Sequence, residues 1–504
     1  MNITAIHWTS QADYPVLLML QIFPLAIAIL IYFFGGTKNI AGLSFLASLI
    51  QLAQSIYLYL NYRPDLTAMQ FTEHFNIIGA FDYHVAVDGI SVLMIMLTAV
   101  ISLMVALYTH VIPVRNRNKL LAIGFAVEAA LMSQFVTLNL LWFVLFSTFY
   151  LFLVGLILWR WSTSAESDTA ITRYFQFMSM GILLLLAGVF LLGWNYADTH
   201  GVWSFDLIDL SRQTLSLEMQ SIIFFLLFYG LAIRIPLFPL HGWLPIAAEH
   251  GTVAIAPVLL LGLKSGIYAL VHFVFPLLPD AVMHWQQYVV AFAVTGIFYA
   301  ALLALMQQNL RRLIAFAVVS HTSILIIGLF SLSHTAFQGG IMLSVNFGIA
   351  ITGLLFTTGF IYWRTRTMLL DKLGGLFDQL PLFGITFFIA GLSIIGMPGT
   401  PGFDSLHLIL EASIHRFGAL LTVAAAIGNV IAAGFLLWTF QRAFLSATTE
   451  LNRKEVKPAN LQEKLLSLTI IGILLVVGFY SEPWMKLIDN SLRNLSHLYT
   501  GHFY

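Results

Sequence analysis

Eight ionisable side chains fall inside long apolar runs of this sequence: Glu128, Arg234, His241, Lys264, His321, Asp404, His407 and Glu411. Lysine, histidine and the acids can take up and release protons, and in hydrocarbon each such group costs several kcal/mol. A residue that expensive is read first as part of a path for charge. Plainer roles compete with that reading. A lone histidine such as His321 is more often a satisfied core residue, and Glu128 and Glu411 would simply be wet if they lay near helix ends. Lys264 is harder to set aside, because a lysine at mid-span must pair, reach the surface or lose its proton. Arg234 keeps its proton in proteins and contributes only fixed charge.

Two of the apolar runs are interrupted. One reads Arg-Ile-Pro-Leu-Phe-Pro-Leu-His-Gly-Trp-Leu-Pro from Arg234 to Pro245. Its three prolines, Pro236, Pro239 and Pro245, lack backbone donors and are expected to break the helix. The other runs from Gly396 to Phe403 and contains Pro398, Gly399, Pro401 and Gly402. Irregular backbone at membrane depth survives only where protein or a water-filled cavity surrounds it. A single proline kink is often only packing. Two kinks in corresponding positions, each beside polar residues, are a pointer to a transport site.

The elements that must hold these residues are helices in lipid. The chain is 59% hydrophobic and 9% charged over 504 residues, where a soluble domain carries about 25% charged residues. Apolar runs of about 20 residues, enough to cross a bilayer, recur near 15–35, 39–61, 89–109, 119–138, 139–159, 171–194, 219–245, 252–278, 285–307, 312–332, 337–362, 381–412, 417–441 and 465–482. This predicts an all-α polytopic protein of about fourteen spans, one membrane domain over 1–504. The first run, from Pro15 to Phe34, has no basic flank or cleavage site and reads as a retained helix. The breaks lie in the seventh and twelfth spans, five helices apart. That spacing predicts two five-helix repeats, spans 4–8 and 9–13, and a core over 119–446. Sixteen of the 23 Lys and Arg residues fall in loops on one side and five on the other, leaving Arg234 and Lys264 inside. The positive-inside rule makes the first side cytoplasmic and puts both termini outside. The largest outer excursions are 62–84 and 195–218, and the tail from Ser481 to Tyr504 is expected to lie along the outer face.

Composition also excludes several classes. With 23 basic and 23 acidic residues the net charge is zero, which gives no case for a nucleic-acid partner. Without cysteine there is no disulfide and no thiolate-held metal cluster. The intramembrane histidines are scattered without ligand spacing, and no catalytic triad or phosphate-binding glycine loop is present. No metal, cofactor or catalytic residue is therefore expected in this chain, and any redox centre belongs to another subunit.

Four stretches carry a resemblance: Val87-Asp88-Gly89-Ile90-Ser91, Pro236 to Pro245, Leu310 to Phe316 with Ser320-His321, and Met397 to Thr400 with Gly402-Phe403. In order and spacing the sequence resembles the antiporter-like membrane subunits of the complex I superfamily, chain M of bacterial NADH–quinone oxidoreductase most closely. The resemblance implies two inverted repeats and a central row of titratable residues and water that carries protons. It puts Lys264 in the place of the eighth-span lysine and His321 in that of the histidine of a Ser-His pair. Asp404 and His407 lie where a twelfth-span charge belongs. Elsewhere the sequence departs. Thr148 stands where the family has a glutamate, Ser147 where it has tryptophan, Arg234 where it has the partner lysine, and Asn346 where a histidine is common. Neither Thr nor Arg takes a proton up and gives it back, so the family's swinging glutamate–lysine pair is lost. Glu128 is a candidate substitute counter-ion for Arg234. The resemblance implies a proton-translocating subunit of a multi-subunit complex in a bacterial inner membrane. The changed pair suggests a relative recruited to another proton-coupled assembly, such as an inorganic-carbon uptake pump in which the membrane subunit binds a zinc carbonic-anhydrase-like protein. A respiratory chain M and a non-conducting scaffold are the alternatives.

Overall fold

The computed structural model describes residues 5–35, 40–78, 81–112, 114–163, 167–251, 256–447 and 456–500. Lys38, Arg453 and Lys454, counted above among the cytoplasmic basic residues, lie outside them, as does the start of the eighth span at 252. Twelve helices among the described residues are long and apolar enough to cross a membrane. The first six are α1 (Val16–Phe34), α2 (Ile40–Asn61), α3 (Gly89–Val111), α4 (Arg117–Val136), α5 (Leu140–Arg160) and α6 (Ser167–His200). After the short α7 (Leu207–Leu210), the seventh span consists of α8 (Leu217–Arg234) and α9 (Trp243–His250). The eighth runs through α10 (Ala256–Ala269), a π-helical turn at Leu270–Val274 and α11 (Phe275–Leu277). Then come α12 (Pro279–Leu305), α13 (Leu310–Leu329) and α14 (His334–Thr365), followed by the short α15 (Leu376–Gln379). The twelfth span is split into α16 (Pro381–Ile395) and α17 (Pro401–Phe417). The chain ends with α18 (Ala419–Phe440), α19 (Leu461–Phe479) and α20 (Glu482–Thr500).

The excursion expected at 62–84 is an antiparallel hairpin of β2 (Met69–Ile78) and β3 (Phe81–Val87), to which β1 (Ala5–His7) adds as a parallel strand. A buried acid, Glu73 on β2, closes the start of α1 by accepting from the backbone N–H of Leu17 at 2.9 Å and of Leu18 at 3.1 Å. Pro15, which precedes that helix, offers it no side-chain cap. The burial of Glu73 pushes its carboxyl up to about 7.

One local device appears twice, upside down. Between α4 and α5 the backbone at Leu138–Leu140 pairs with Phe205–Leu207: Leu140 N–H donates to Phe205 O and Leu207 N–H to Leu138 O, both at 2.9 Å. Between α12 and α13, at the other face of the bundle, Leu310 N–H donates to Met368 O and Leu370 N–H to Gln308 O, at 2.9 and 2.8 Å. Each pairing is followed by a four-residue helix, α7 or α15. Each long helix that follows is capped by an asparagine side chain: Asn139 accepts from Leu141 N–H and Asn309 from Arg311 N–H, both at 3.0 Å. Side-chain oxygens in that position satisfy donors a helix start leaves open. One unit is thus built from α4–α11 and again, inverted, from α12–α18.

The core runs through both units and α3, and it is densest around α14. Every residue of the most apolar stretch of α14 is buried, whereas α1, α2, α6 and α19 are mostly exposed on their outer faces. Those apolar faces are what lipid or neighbouring subunits cover. Helix α20 is amphipathic and packs on α3 and α14, and its Tyr499 hydroxyl donates to Phe275 O on α11 at 2.8 Å.

Candidate functional site

The two breaks are built differently. In the seventh span α8 ends at Arg234, and Pro236 and Pro239 lie in the irregular stretch before α9. Trp243, the first residue of α9, donates its indole N–H back to Ile233 O at 2.8 Å, satisfying a carbonyl that the break would orphan. Pro245 was expected to break the helix too. It does not: it sits in the first turn of α9, where no intrahelical donor is needed. Pro401 is likewise a starter rather than a breaker, at the first position of α17.

In the twelfth span α16 closes on Gly396, whose φ of +83° is one an L side chain rarely adopts. Gly396 N–H returns to Ser393 O and Met397 N–H to Leu392 O, the two bonds of a Schellman ending. Two amides brace the exposed carbonyls. Asn346 on α14 donates to Ser393 O at 2.9 Å and accepts from the Ser393 hydroxyl. Asn429 on α18 donates to Ile395 O at 2.7 Å. Asn346 therefore serves as a strut for the break. Gly402 is required by proximity, since a Cβ there would come within 2.0 Å of Ser393 O.

Arg234 is 3% exposed and bound by three neutral groups. Its Nε donates to Gly262 O at 3.1 Å, one terminal nitrogen to the Ser147 hydroxyl at 2.7 Å and the other to the Gln134 side-chain carbonyl at 2.7 Å. The guanidinium also lies 5.3 Å from the centre of the Tyr150 ring. Among the described residues no carboxylate reaches it. Glu128, the candidate counter-ion, is 2% exposed and bonded to Ser102 on α3, with its Oε1 unpartnered. It lines a small crevice between α3 and α4, and the α4 side chain that does meet Arg234 is Gln134, six residues further on. Thr148, expected in place of a glutamate, faces outward and donates to Val144 O. The α5 residue opposite Arg234 is Ser147, one residue earlier.

Two residues from the carbonyl that holds Arg234, Lys264 is 5% exposed. Its Nζ lies 5.1 Å from the centre of the Phe347 ring on α14. The His321 ring meets the same Phe347 edge-on at 5.3 Å. His321 is 2% exposed and its Nε2 has no partner. Phe347 thus separates the lysine and the histidine, and the neighbouring Asn346 reaches the twelfth-span break. A cation over an aromatic face is a weak but real contact. It leaves Lys264 without an acid partner among the described residues. His241, in the seventh-span break, is enclosed by Phe238, Tyr299 and Phe316, with Nδ1 unpartnered.

The acids and histidine of α17 stand apart from this cluster. Asp404 is half-buried and accepts from the Ser481 hydroxyl at 2.7 Å, while His407 and Glu411 are exposed on the outer side of the helix. Sequence reasoning missed Gln134, Phe347, Asn429 and His272. The first three carry no charge and leave no signal. His272 did leave one, a histidine eight residues beyond Lys264 in the same span.

Relatives of known identity agree with this architecture. Residues 137–432 match the model of a family described as NADH:quinone oxidoreductase/Mrp antiporter, TM. The chain is 28% identical over 496 residues to F(420)H(2) dehydrogenase subunit M of Methanosarcina mazei, covering 97% of this chain and 99% of that one. It is also 28% identical over 437 residues to NADH-quinone oxidoreductase subunit M of Escherichia coli K12, covering 83% of each. Its fold superposes on a chain of respiratory complex I from Thermus thermophilus with a TM-score of 0.85 at 24% identity, covering 96% of this chain and 99% of that one. The family model spans more than half of the sequence, including both breaks, Lys264 and His321, and the chain belongs to the NADH:quinone oxidoreductase/Mrp antiporter transmembrane family.

Proposed function

We propose that this antiporter-like subunit moves protons through a central row whose titrating members are Lys264 and His321, with Arg234 as a permanent positive charge beside them. One observation carries the reading: two proton-exchanging side chains lie buried on either side of Phe347, without acid partners among the described residues. A lysine paired with a carboxylate would be locked in its charged form. One held over a ring face, with no carboxylate beside it among the described residues, is poised to exchange its proton. Arg234 cannot do so, and its three bonds to neutral groups tie it down. Proton movement at the seventh break therefore depends on Lys264 and water, with His241 on the far side of the broken stretch. Glu128, Asp404, His407 and Glu411 lie outside this row.

The test is proton flux in membrane vesicles carrying the intact complex. Lys264→Ala and His321→Ala should each lower flux at least tenfold at normal protein level. Full flux in both variants would make the chain a scaffold with buried structural charges.

The chain works as one subunit of a multi-subunit complex, because its relatives are subunits and its apolar outer faces need cover. The basic loops orient it with both termini outside a bacterial inner membrane. A finer reading concerns the assembly: an inorganic-carbon uptake pump whose soluble partner is a zinc carbonic-anhydrase-like protein, in place of a respiratory chain M. The neutral Gln134–Ser147 clamp on Arg234, where an ion-pair gate would serve a respiratory subunit, favours it. Deleting the gene should then make growth depend on high CO2. Normal growth of the deletion strain in air, with loss of quinone-linked NADH oxidation, would return the chain to respiration.

A further inference from the structure

Lys264, Tyr268 and His272 recur every fourth residue of the eighth span and so share one helix face. The π-helical turn at Leu270–Val274 widens the helix where His272 sits; such turns are frequent at functional sites. The Tyr268 and His272 rings stack at 4.7 Å. The Tyr268 hydroxyl is bonded to the Ser91 hydroxyl at 3.0 Å and donates to Phe135 O at 3.1 Å. Ser91 N–H in turn donates to the Asp88 carboxylate at 2.8 Å. His272 is 5% exposed and its Nε2 is buried without a partner.

Asp88 and His272 line a single cavity of about 330 Å³ on the face that holds the termini. Its wall also takes in Tyr62 just past α2, the stretch from Leu66 to Met69, and Ser491, Asn494 and His497 of α20. The titratable groups facing His272 are therefore Asp88 at the start of α3, Tyr62 just past α2, Tyr268 from its own span and His497 from α20. Nothing in the central row described above uses them.

We infer that this cavity is a proton port, the opening through which Lys264 exchanges protons with water on the terminal face. The inference rests on the reading that Lys264 carries protons. In the outward direction Lys264 Nζ gives up a proton and becomes an amine. The proton crosses about 12 Å of helix rise by water and the Tyr268 hydroxyl, which accepts one proton as it releases another. His272 Nε2 takes it up, becoming imidazolium opposite the Asp88 carboxylate, and then releases it to cavity water. Only N–H and O–H bonds change, and the reverse sequence serves uptake.

The absence of cysteine makes the port testable without altering its chemistry first. Asn494→Cys places one thiol of this chain in the cavity wall, and a charged, membrane-impermeant thiosulfonate is added to right-side-out vesicles of the intact complex. Proton flux, measured in the same vesicles before and after labelling, should fall at least fivefold. Labelling Asp198→Cys, exposed at the same end of α6, should leave flux unchanged. His272→Phe should lose flux to the same degree as Lys264→Ala. Complete labelling at 494 with unchanged flux would overturn the port, as would a His272→Phe variant that conducts normally while Lys264→Ala does not. Full conduction by Lys264→Ala would instead remove the parent reading.

Discussion

The seventh and twelfth spans break at corresponding places, but one break is charged and the other neutral. At the seventh, a guanidinium is buried against a glutamine, a serine and a backbone carbonyl. At the twelfth, two asparagines brace the carbonyls, and among the described residues no charged side chain bonds to them. Both solve one problem, the backbone groups that a fractured helix leaves unpaired. Only the first keeps a permanent field in the middle of the protein. The two halves of an inverted repeat can thus share backbone design while differing in what they do to a proton.

The largest expected effect tests whether the seventh break depends on its clamp. Gln134→Leu would strip the charged nitrogen of its acceptor and should destabilise the protein by about 3 kcal/mol, read as the melting temperature of the purified complex. Gln134→Glu, which supplies a counter-ion, should restore it. At the twelfth break Gly402→Ala forces a methyl against Ser393 O and should cost about 2 kcal/mol. Gly391→Ala in α16, where an added Cβ meets nothing within 4 Å, should be neutral or slightly stabilising. Asn346→Leu leaves one carbonyl and one hydroxyl unpaired, for about 1.5 kcal/mol. If Asn346→Leu proves as costly as Gln134→Leu, charge is not what distinguishes the two joints.

Glu73 sharpens the contrast because a proton can remove its charge. Glu73 has its carboxyl raised to about 7 in the folded protein, so between its unfolded value and 7 the folded state binds more protons. Stability from this group is then largest at low pH and is lost as pH rises through 7. The change between pH 6 and 8 is about 1 kcal/mol. Glu73→Gln should flatten that slope in a melting-temperature profile, and no variant at Arg234 should mimic it, since arginine holds its proton throughout.

Much of this protein was readable one residue at a time. Apolar run length marked the helices, and Pro236, Pro239, Pro398 and Gly399 marked the breaks, because a missing donor or a left-handed backbone acts locally. The proline spacing is also repeated, Pro236 to Pro239 and Pro398 to Pro401, a sign in the sequence that the two joints correspond. Pro245 was misjudged because a proline two residues into a new helix looks the same in sequence as one that ends an old helix. Glu128 was misjudged because helical phase alone cannot say which neighbour a face meets. It turns to Ser102, and Gln134 turns to Arg234.

The sequence by itself determined that this chain lives in lipid, that its helices fracture twice, and that Lys264 and His321 are buried at a cost. Those outcomes follow from transfer energies and backbone chemistry, which need no partner. Tertiary structure alone decided that Arg234 has neutral companions, that Phe347 stands between the lysine and the histidine, and that Asp88 meets His272 across a cavity. Each of these joins residues far apart in the chain, and contacts of that kind are set by how helix faces pack rather than by what any one segment prefers.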